Sequence, residues 1–556
     1  MGPLPNAAIT QVDQDTILSA NALEQGDGGQ IIVWADEATY FSGHVRAQGG
    51  DLGGDGGFVE ISGKSHLGFD GQFSLGAPHG ESGTILFDPD NIRIVGGGTL
   101  ADVATESLLF PAINAIDNDF GTLTLHEATL ESWSGDDNII LQANRNIWVE
   151  LGGNNELTFQ PGTGSIQLIA DADNNLFGSF TMYEAGDLIY TSGRDIDISG
   201  ACISFFSIDN QLATAAGNLT LAAPIFTSVA GSLDADAITV RTNEVNLNGG
   251  NNSIRGTTLL IEPDNPAIKI NVGPDTNTLF DLDLLETDVL ALRDGFTTIA
   301  SGRADGTGTV TLYDSITDGG TTPFRDPDTI LGADTLKGPD KLTPWVITDT
   351  NQGNINGLFS NGLSFENIDS IAVGNSTNDT IQGAANNDTI ILSGLNAGTF
   401  NEINFAEIQS VSGGDGDDRF VINGGLWNNL DGGPGTDTLD YGTRTADVTV
   451  DLENNTANNV IAFKDVESFI GGSGSDTFRV SAGAPASLID GGAGDNALIG
   501  DNTASTWTLT GIDRGYGTGV NNFLRIQNLV AGNQADQITI LNSTAGFTGD
   551  LDGGAG

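Results

Sequence analysis

The chain has 556 residues with 78 glycines, only 16 prolines and 38% hydrophobic residues, a balance that supplies a core and excludes both a Pro/Gly tract and general disorder. Lys and Arg number 19 against 74 Asp and Glu, a net charge of −55, whose field excludes nucleic acid and anionic lipid surfaces as direct partners and suits an extracellular or saline setting. No apolar run is long enough for a membrane span, and the single Cys202, set in ACISFFSI, excludes an internal disulfide and is expected as an inert core thiol.

The first signal along the chain is an internal echo. GDGGQIIVWADEATYFSGHVRAQGG (Gly26 to Gly50) is followed by GDGGFVEISGKSHLGFDGQFSLGA (Gly54 to Ala77) at an offset of 28, and GTILFDPDNIRIVGG (Gly83 to Gly97) begins a third unit. Each unit runs from a glycine-rich turn through a short strand and a bend to a second strand, the pattern of a solenoid coil with several strands per turn. The run GGDLGGDGG lacks the GK[ST] ending of a phosphate loop and reads as a tight corner between coils. From 100 to 310, segments such as NIILQANRNIWVE, GSIQLIADAD and GDLIYTSGRDIDISG alternate strands with Asn, Asp and Gly turns. Capped helical periodicity is missing, so the chain is expected to be all-β. A unit spacing of roughly 20–30 residues favours stacked parallel coils over a sandwich or propeller.

A proline-rich passage from Thr321 to Trp345 marks a boundary. Beyond it Phe365, Phe405, Phe463 and Phe523 each begin a segment with an aliphatic residue at +3, an apolar one at +6 and glycine at +9, followed by Asp379, Asp418, Asp476 and Asp536. LDGG or IDGG recurs at Asp431, Asp490 and Asp552, and Trp345 and Trp507 open two similar segments, WVIT and WTLT. The expected organisation is therefore 1–98, regular coils; 99–320, less regular coils; 321–345, the boundary; and 346–556, repeats of roughly 60 residues resembling a β-solenoid or β-roll. The start, MGPLPNAAITQV, lacks a basic segment followed by an apolar one, and the third LDGG unit breaks off at the last residue. An internal fragment of a longer parent is expected.

The run from Gly26 to Ile94, above all GGDGGFVEISGK and GTILFDPDNIRI, resembles a segment of the filamentous-haemagglutinin-like exoproteins of bacterial two-partner secretion systems, and NIILQANRNIWVE extends the resemblance to about Glu150. That resemblance implies a right-handed parallel β-helix, export of the parent through an outer-membrane barrel transporter, and a role at the cell surface, usually adhesion to a glycan or protein receptor. The family's N-terminal secretion domain has no counterpart in this sequence. The expected fold is thus all-β, a right-handed parallel β-helix (solenoid) continued by β-rich repeats, in a secreted, non-catalytic adhesin or fibre component. Two other readings are a matrix protein that polymerises end to end through open β edges, and a polysaccharide lyase or glycoside hydrolase built on a β-helix.

GGDGDDRFV, GGPGTDTLD and GGSGSDTFR resemble the haemolysin-type calcium nonapeptide, G-G-x-G-x-D-x-apolar-x. This resemblance implies Asp418, Asp437 and Asp476 as carboxylate ligands, with turn glycines Gly413, Gly414, Gly416, Gly432, Gly433, Gly435, Gly471, Gly472 and Gly474. A fourth unit, GGAGDNALI, carries Asn496 in that place. The family repeats such turns in tandem, whereas here they are isolated. The same letters also describe a corner that needs only a left-handed turn and a short side-chain acceptor. A hydrolase needs two carboxylates about 5–10 Å apart, and a lyase also wants a basic residue, which is scarce here; Asp88/Asp90, Asp136/Asp137 and Asp195/Asp197 read as turn carboxylates. His44, His66, His79 and His126 show no metal-ligand spacing, and the first three are expected in solvated loops. Trp34, Tyr40, Phe41, Trp133 and Trp148 are candidates for reading sugars or proteins, most of them expected in the core.

Overall fold

The computed structural model describes residues 6–97, 121–152, 156–273, 281–313, 328–340, 343–356, 363–373, 379–483 and 486–555. The protein is all-β, with short strands stacked by parallel pairing into a β-helix-like solenoid. Helix among the described residues is confined to Glu127–Glu131 and Glu286–Ala291, and none is long and apolar enough to cross a membrane. Two compact units divide the chain: Met1–Arg303 with Gly320–Asp328, and Ala304–Gly319 with Thr329–Gly556. The expected boundary at 98/99 lies outside the described residues, as do 321–327 and 341–342 of the proline-rich passage; what is described of that passage is largely strand, in Asp328–Ala333 and Thr335–Lys337.

In the first unit one parallel sheet climbs coil by coil from Gln30–Ala35 through Phe58–Gly63, Thr84–Asp88 and Asn138–Gln142 to Thr298–Gly302. Alternation of side chains along each strand turns every second residue inward, and the register stacks like on like: Ile85, Ile139, Ile166, Ile196, Leu219 and Ile238 form one aliphatic ladder, nearly sealed from solvent. Burying each such side chain contributes about 1.5–3 kcal/mol. A second parallel sheet runs from Ile147–Glu150 through Ser179–Met182, Cys202–Phe205 and Phe226–Val229 to Val245–Leu247. A third runs from Glu156–Thr158 to Ile254–Arg255, so a coil here has three strands. One strand departs from chain order: Asn91–Val95 pairs with Ile147–Glu150 on one side and with the later Thr122–His126 on the other.

The 28-residue echo is the coil register itself, since Gln30 pairs with Phe58 and Trp34 with Ser62. The glycine-rich run is the corner between these coils. A Cβ on Gly57 would overlap the carbonyl of Gly29 in the coil below, so only glycine permits the stacking distance. Asp27 Oδ1 accepts the Asp55 amide at 2.9 Å, and Asp55 Oδ1 accepts the Glu81 amide at 2.9 Å.

Several expectations are corrected here. Cys202 is not a core thiol: it starts its strand facing outward and half-buried, while Ile203 and Phe205 take the inward positions. His44 and His66 open strands rather than lying in loops; His44 Nε2 is 3.0 Å from Ser74 Oγ, and the His66 ring packs against Tyr40. Tyr40, Phe41 and Trp133 are core, whereas Trp34 and Trp148 are half-buried on outward strand positions. HEATLE continues its strand into a helical turn capped by His126, whose Nδ1 accepts the Ala128 amide.

The second unit combines parallel stacking with antiparallel meanders. Pro344–Asp349, Gln352–Ile355 and Leu363–Ile368 form one; Thr389–Gly394, Ala397–Phe400 and Ile403–Ala406 a second; Thr506–Gly511, Arg514–Gly517 and Val520–Leu524 a third. Three of the repeat phenylalanines lie in the last strand of a meander and reach buried tryptophans, Phe365 on Trp345, Phe405 on Trp427 and Phe523 on Trp507, ring centroids 5.9–6.5 Å apart, while Phe463 packs on Phe469. The residue two places after each repeat phenylalanine, Asn367, Glu407, Asp465 or Arg525, has a left-handed φ of 57°, 64°, 49° and 57°. This kink breaks strand alternation, so that Phe365, Ile368 and Ile371 all face the core.

Candidate functional site

The nonapeptide aspartates stand at stacked corners of the second unit, and their partners are backbone amides of the adjoining coil. Asp418 Oδ1 accepts the Asp388 amide at 2.7 Å, Asp437 Oδ1 accepts the Asp418 amide at 2.7 Å, and the Asp437 amide is in turn accepted by Glu467 Oε2 at 2.9 Å. A second series begins with the Val448 amide on Asp476 Oδ1, continues with the Asp476 amide on Asn496 Oδ1, and ends with the Asn496 amide on Gln527 Oε1. A third joins the Thr343 amide to Asp379 Oδ1 and the Asp379 amide to Gln409 Oε1. Each coil thus presents an amide that a side chain of the next coil caps, and an uncapped buried amide would cost about 1–3 kcal/mol.

Glycine makes room for the fold-back. A Cβ on Gly413 would occupy the position of Asp418 Oδ2, and Gly432 and Gly471 stand in the same relation to Asp437 and Asp476. Gly414, Gly416 and Gly433 carry left-handed φ values of 96°, 127° and 94°. Gly435, Gly472 and Gly474 are not left-handed; there a side chain would meet the neighbouring coil.

The electrostatics follow from this packing. Asp418 and Asp437 are sealed from solvent, and among the described residues their Oδ2 atoms have no hydrogen-bond partner. Burial, reinforced by the next acid along the series, pushes the Asp418 carboxyl up to about 6 and that of Asp437 to about 7. Burial also raises Asp476, whose Oδ2 accepts the Gly472 amide at 2.7 Å. Asn496 reproduces the geometry without charge, its Nδ2 donating to the carbonyls of Arg525 and Ala493.

Calcium takes six to eight oxygen ligands. The corners of Asp418 and Asp437 each offer one Oδ2, the Oδ1 being held by an amide, whereas both oxygens of Asp476 are held by amides, and among the described residues no three His, Cys, Asp or Glu side chains gather about one point. The other acid pairs are engaged in turns. Asp136 accepts the Thr163 amide and Asp195 the Asn218 amide; Asp90 accepts from Asn144. Asp137 is raised to about 6 by burial, and its main-chain carbonyl accepts from the buried Arg194, which also binds the carbonyls of Gly164 and Ser165.

Sequence reasoning missed Asp388 and the closing caps Gln409, Glu467 and Gln527. Asp388 follows GAANN, without the paired glycines. The closing caps had a readable signal: each stands four residues after a repeat phenylalanine and is a side chain able to accept.

No family model matches the chain, and no curated protein matches it.

Proposed function

We propose that the chain is part of a secreted bacterial surface adhesin or extracellular fibre component, a non-catalytic stack of coils that carries a binding surface. The observation that carries this reading is how the acids are spent: Asp418, Asp437, Asp476, Asp136 and Asp195 each hold an amide of a neighbouring coil, so carboxylates that a catalyst would need serve the stacking instead. The likeness of Gly26 to Ile94 to haemagglutinin-like exoproteins supports secretion of the parent through an outer-membrane barrel transporter and a glycan or protein receptor on the target. Antibody labelling of intact source cells, together with their attachment to a surface after deletion of the gene, tests it. Labelling only after permeabilisation overturns it. Release of new reducing ends from a polysaccharide by the purified chain replaces it with the hydrolase or lyase reading, and fibres seen by electron microscopy replace it with the end-to-end polymer.

A second reading, calcium at the corners, is favoured by the buried Oδ2 atoms of Asp418 and Asp437, because a cation there offsets the cost of an unpaired carboxylate oxygen. An ion bound only by the folded chain raises Tm by mass action. A melt with and without chelator decides: a lower Tm in chelator supports calcium, and an unchanged Tm leaves Asp418, Asp437 and Asp476 as caps alone.

A further inference from the structure

Part of the second sheet of the first unit has an uncharged outward face. On the strands Asn91–Val95 and Ile147–Glu150 of the same sheet the outward positions carry Arg93 and Glu150, which pair with each other. On the three successive strands Ser179–Met182, Cys202–Phe205 and Phe226–Val229, the outward positions carry no charge at all. Direct pairing sets Thr181, Ser204 and Ser228 in one row of hydroxyls across the coils, of which Thr181 is buried and Ser204 and Ser228 are half-buried. Along one side of the row, two residues further along their strands, stand Tyr183 and Phe206, 62% and 64% exposed, with ring centroids 5.7 Å apart. Their amides continue the ladder, Tyr183 to the Val149 carbonyl and Phe206 to that of Met182. Cys202 and Phe226 flank the other side as a direct pair.

We infer that this face binds a strand of neutral polysaccharide lying across the coils, its hydroxyls on Ser204 and Ser228 and its apolar ring faces on Tyr183 and Phe206. Charge selects this occupant. The chain carries −55, so an anionic polymer is repelled, and a second copy of the chain meets the same repulsion. A cationic peptide is drawn to the acidic corners rather than to the uncharged face. A neutral polyhydroxylated polymer pays neither cost, and a coil rise of ~4.8 Å repeats the same hydroxyl along the stack. Rigid rings exposed on adjacent coils supply contact area with little side-chain entropy to lose.

Native electrophoresis of the whole chain tests this in gels cast with a neutral β-glucan, a mannan or a galactan, beside gels cast with polygalacturonate. At least one neutral polymer should retard the protein and slow maleimide labelling of Cys202, the chain's one thiol. The double variant Tyr183→Ala/Phe206→Ala should weaken retardation roughly tenfold or more, and Ser204→Glu, which removes no packing, should do the same. Leu395→Ala, exposed on the other unit, should change nothing. Absence of retardation by all three neutral polymers overturns the inference, as does retardation by polygalacturonate that the double variant abolishes. A concentration-dependent dimer lost in the double variant reassigns the face to a second copy. A chain displayed on cells that binds no neutral polymer overturns this inference and leaves the surface-display reading standing.

Discussion

Asp437 and Asn496 do the same task with and without a charge. The Asp437 carboxyl is raised above its unfolded value, so its folded form binds the proton more tightly than the unfolded chain does. Its contribution is therefore full below the unfolded pKa near 4 and is lost as pH rises through about 7. Asp437→Asn keeps the acceptor for the Asp418 amide and removes the titration; it should gain about 1–2 kcal/mol at pH 8 and flatten the fall in Tm between about pH 4 and 7. Asp437→Ala should lose about 1–3 kcal/mol at pH 4, since the Asp418 amide is left without its cap, and less at pH 8, where the ionised carboxylate is removed as well. Denaturant melts of the two variants across pH separate these outcomes. A second residue-scale test lies at Glu407, whose φ is 64°. Glu407→Gly should be neutral or stabilising by up to about 1 kcal/mol, whereas Glu407→Val should cost about 1–3 kcal/mol. Of these residues the aspartates were legible as a motif, but the motif letters serve calcium and cap alike. The left-handed position was not legible, because Asn, Glu, Asp and Arg share no side-chain property that announces it.

At the scale of the element, the glycine-rich corner sets how closely two coils approach. Gly57→Ala should destabilise by at least about 2 kcal/mol and open the corner to protease, because its Cβ meets backbone that cannot turn aside. Gly76→Ala, with open space around the new methyl, is the matched control and should stay within about 0.5 kcal/mol of the parent. Thermal melts and limited proteolysis of both check this; equal losses would mean that helix-style glycine entropy, not close approach, governs the corner. The corner was readable from the 28-residue echo because the offset between sequence units is the register between paired strands. The meanders were only half readable. WVIT and WTLT signalled two of them, but the third opens with TIIL and borrows its tryptophan, Trp427, from the next coil. Thr122–His126 was read as a strand, yet its place on the far side of Asn91–Val95 follows from pairing that chain order does not encode.

For the whole molecule the governing quantity is charge. Cations are scarce, and several are placed across coils: Arg93 on Glu150, Arg241 on Glu262, Arg419 on Asp440, Lys464 on Asp431 and Arg525 on Asp490. Their side chains are 42–65% exposed, so each pair contributes only about 0.2–1 kcal/mol. The repulsion among 74 acids outweighs them, and it is greater in the compact state than in the unfolded one. Raising salt from about 0.01 M to about 0.1 M should therefore raise Tm as the Debye length shrinks; a falling Tm would mean the ion pairs dominate. Composition made this charge plain. It left open that the acids nearest the core are acceptors, a matter of which amide lies opposite.

The caps described at Asp418 and Asp437 have a direction. The coils of Asp418 and Asp437 each donate an amide to the following coil and accept one from the coil before. Such a coil carries both halves of its joints within itself, like a link with one hook and one eye. It is therefore the smallest piece by which a gene of this kind can lengthen or shorten without leaving a loose end, and the series closes wherever a residue four places after a repeat phenylalanine supplies an eye of its own.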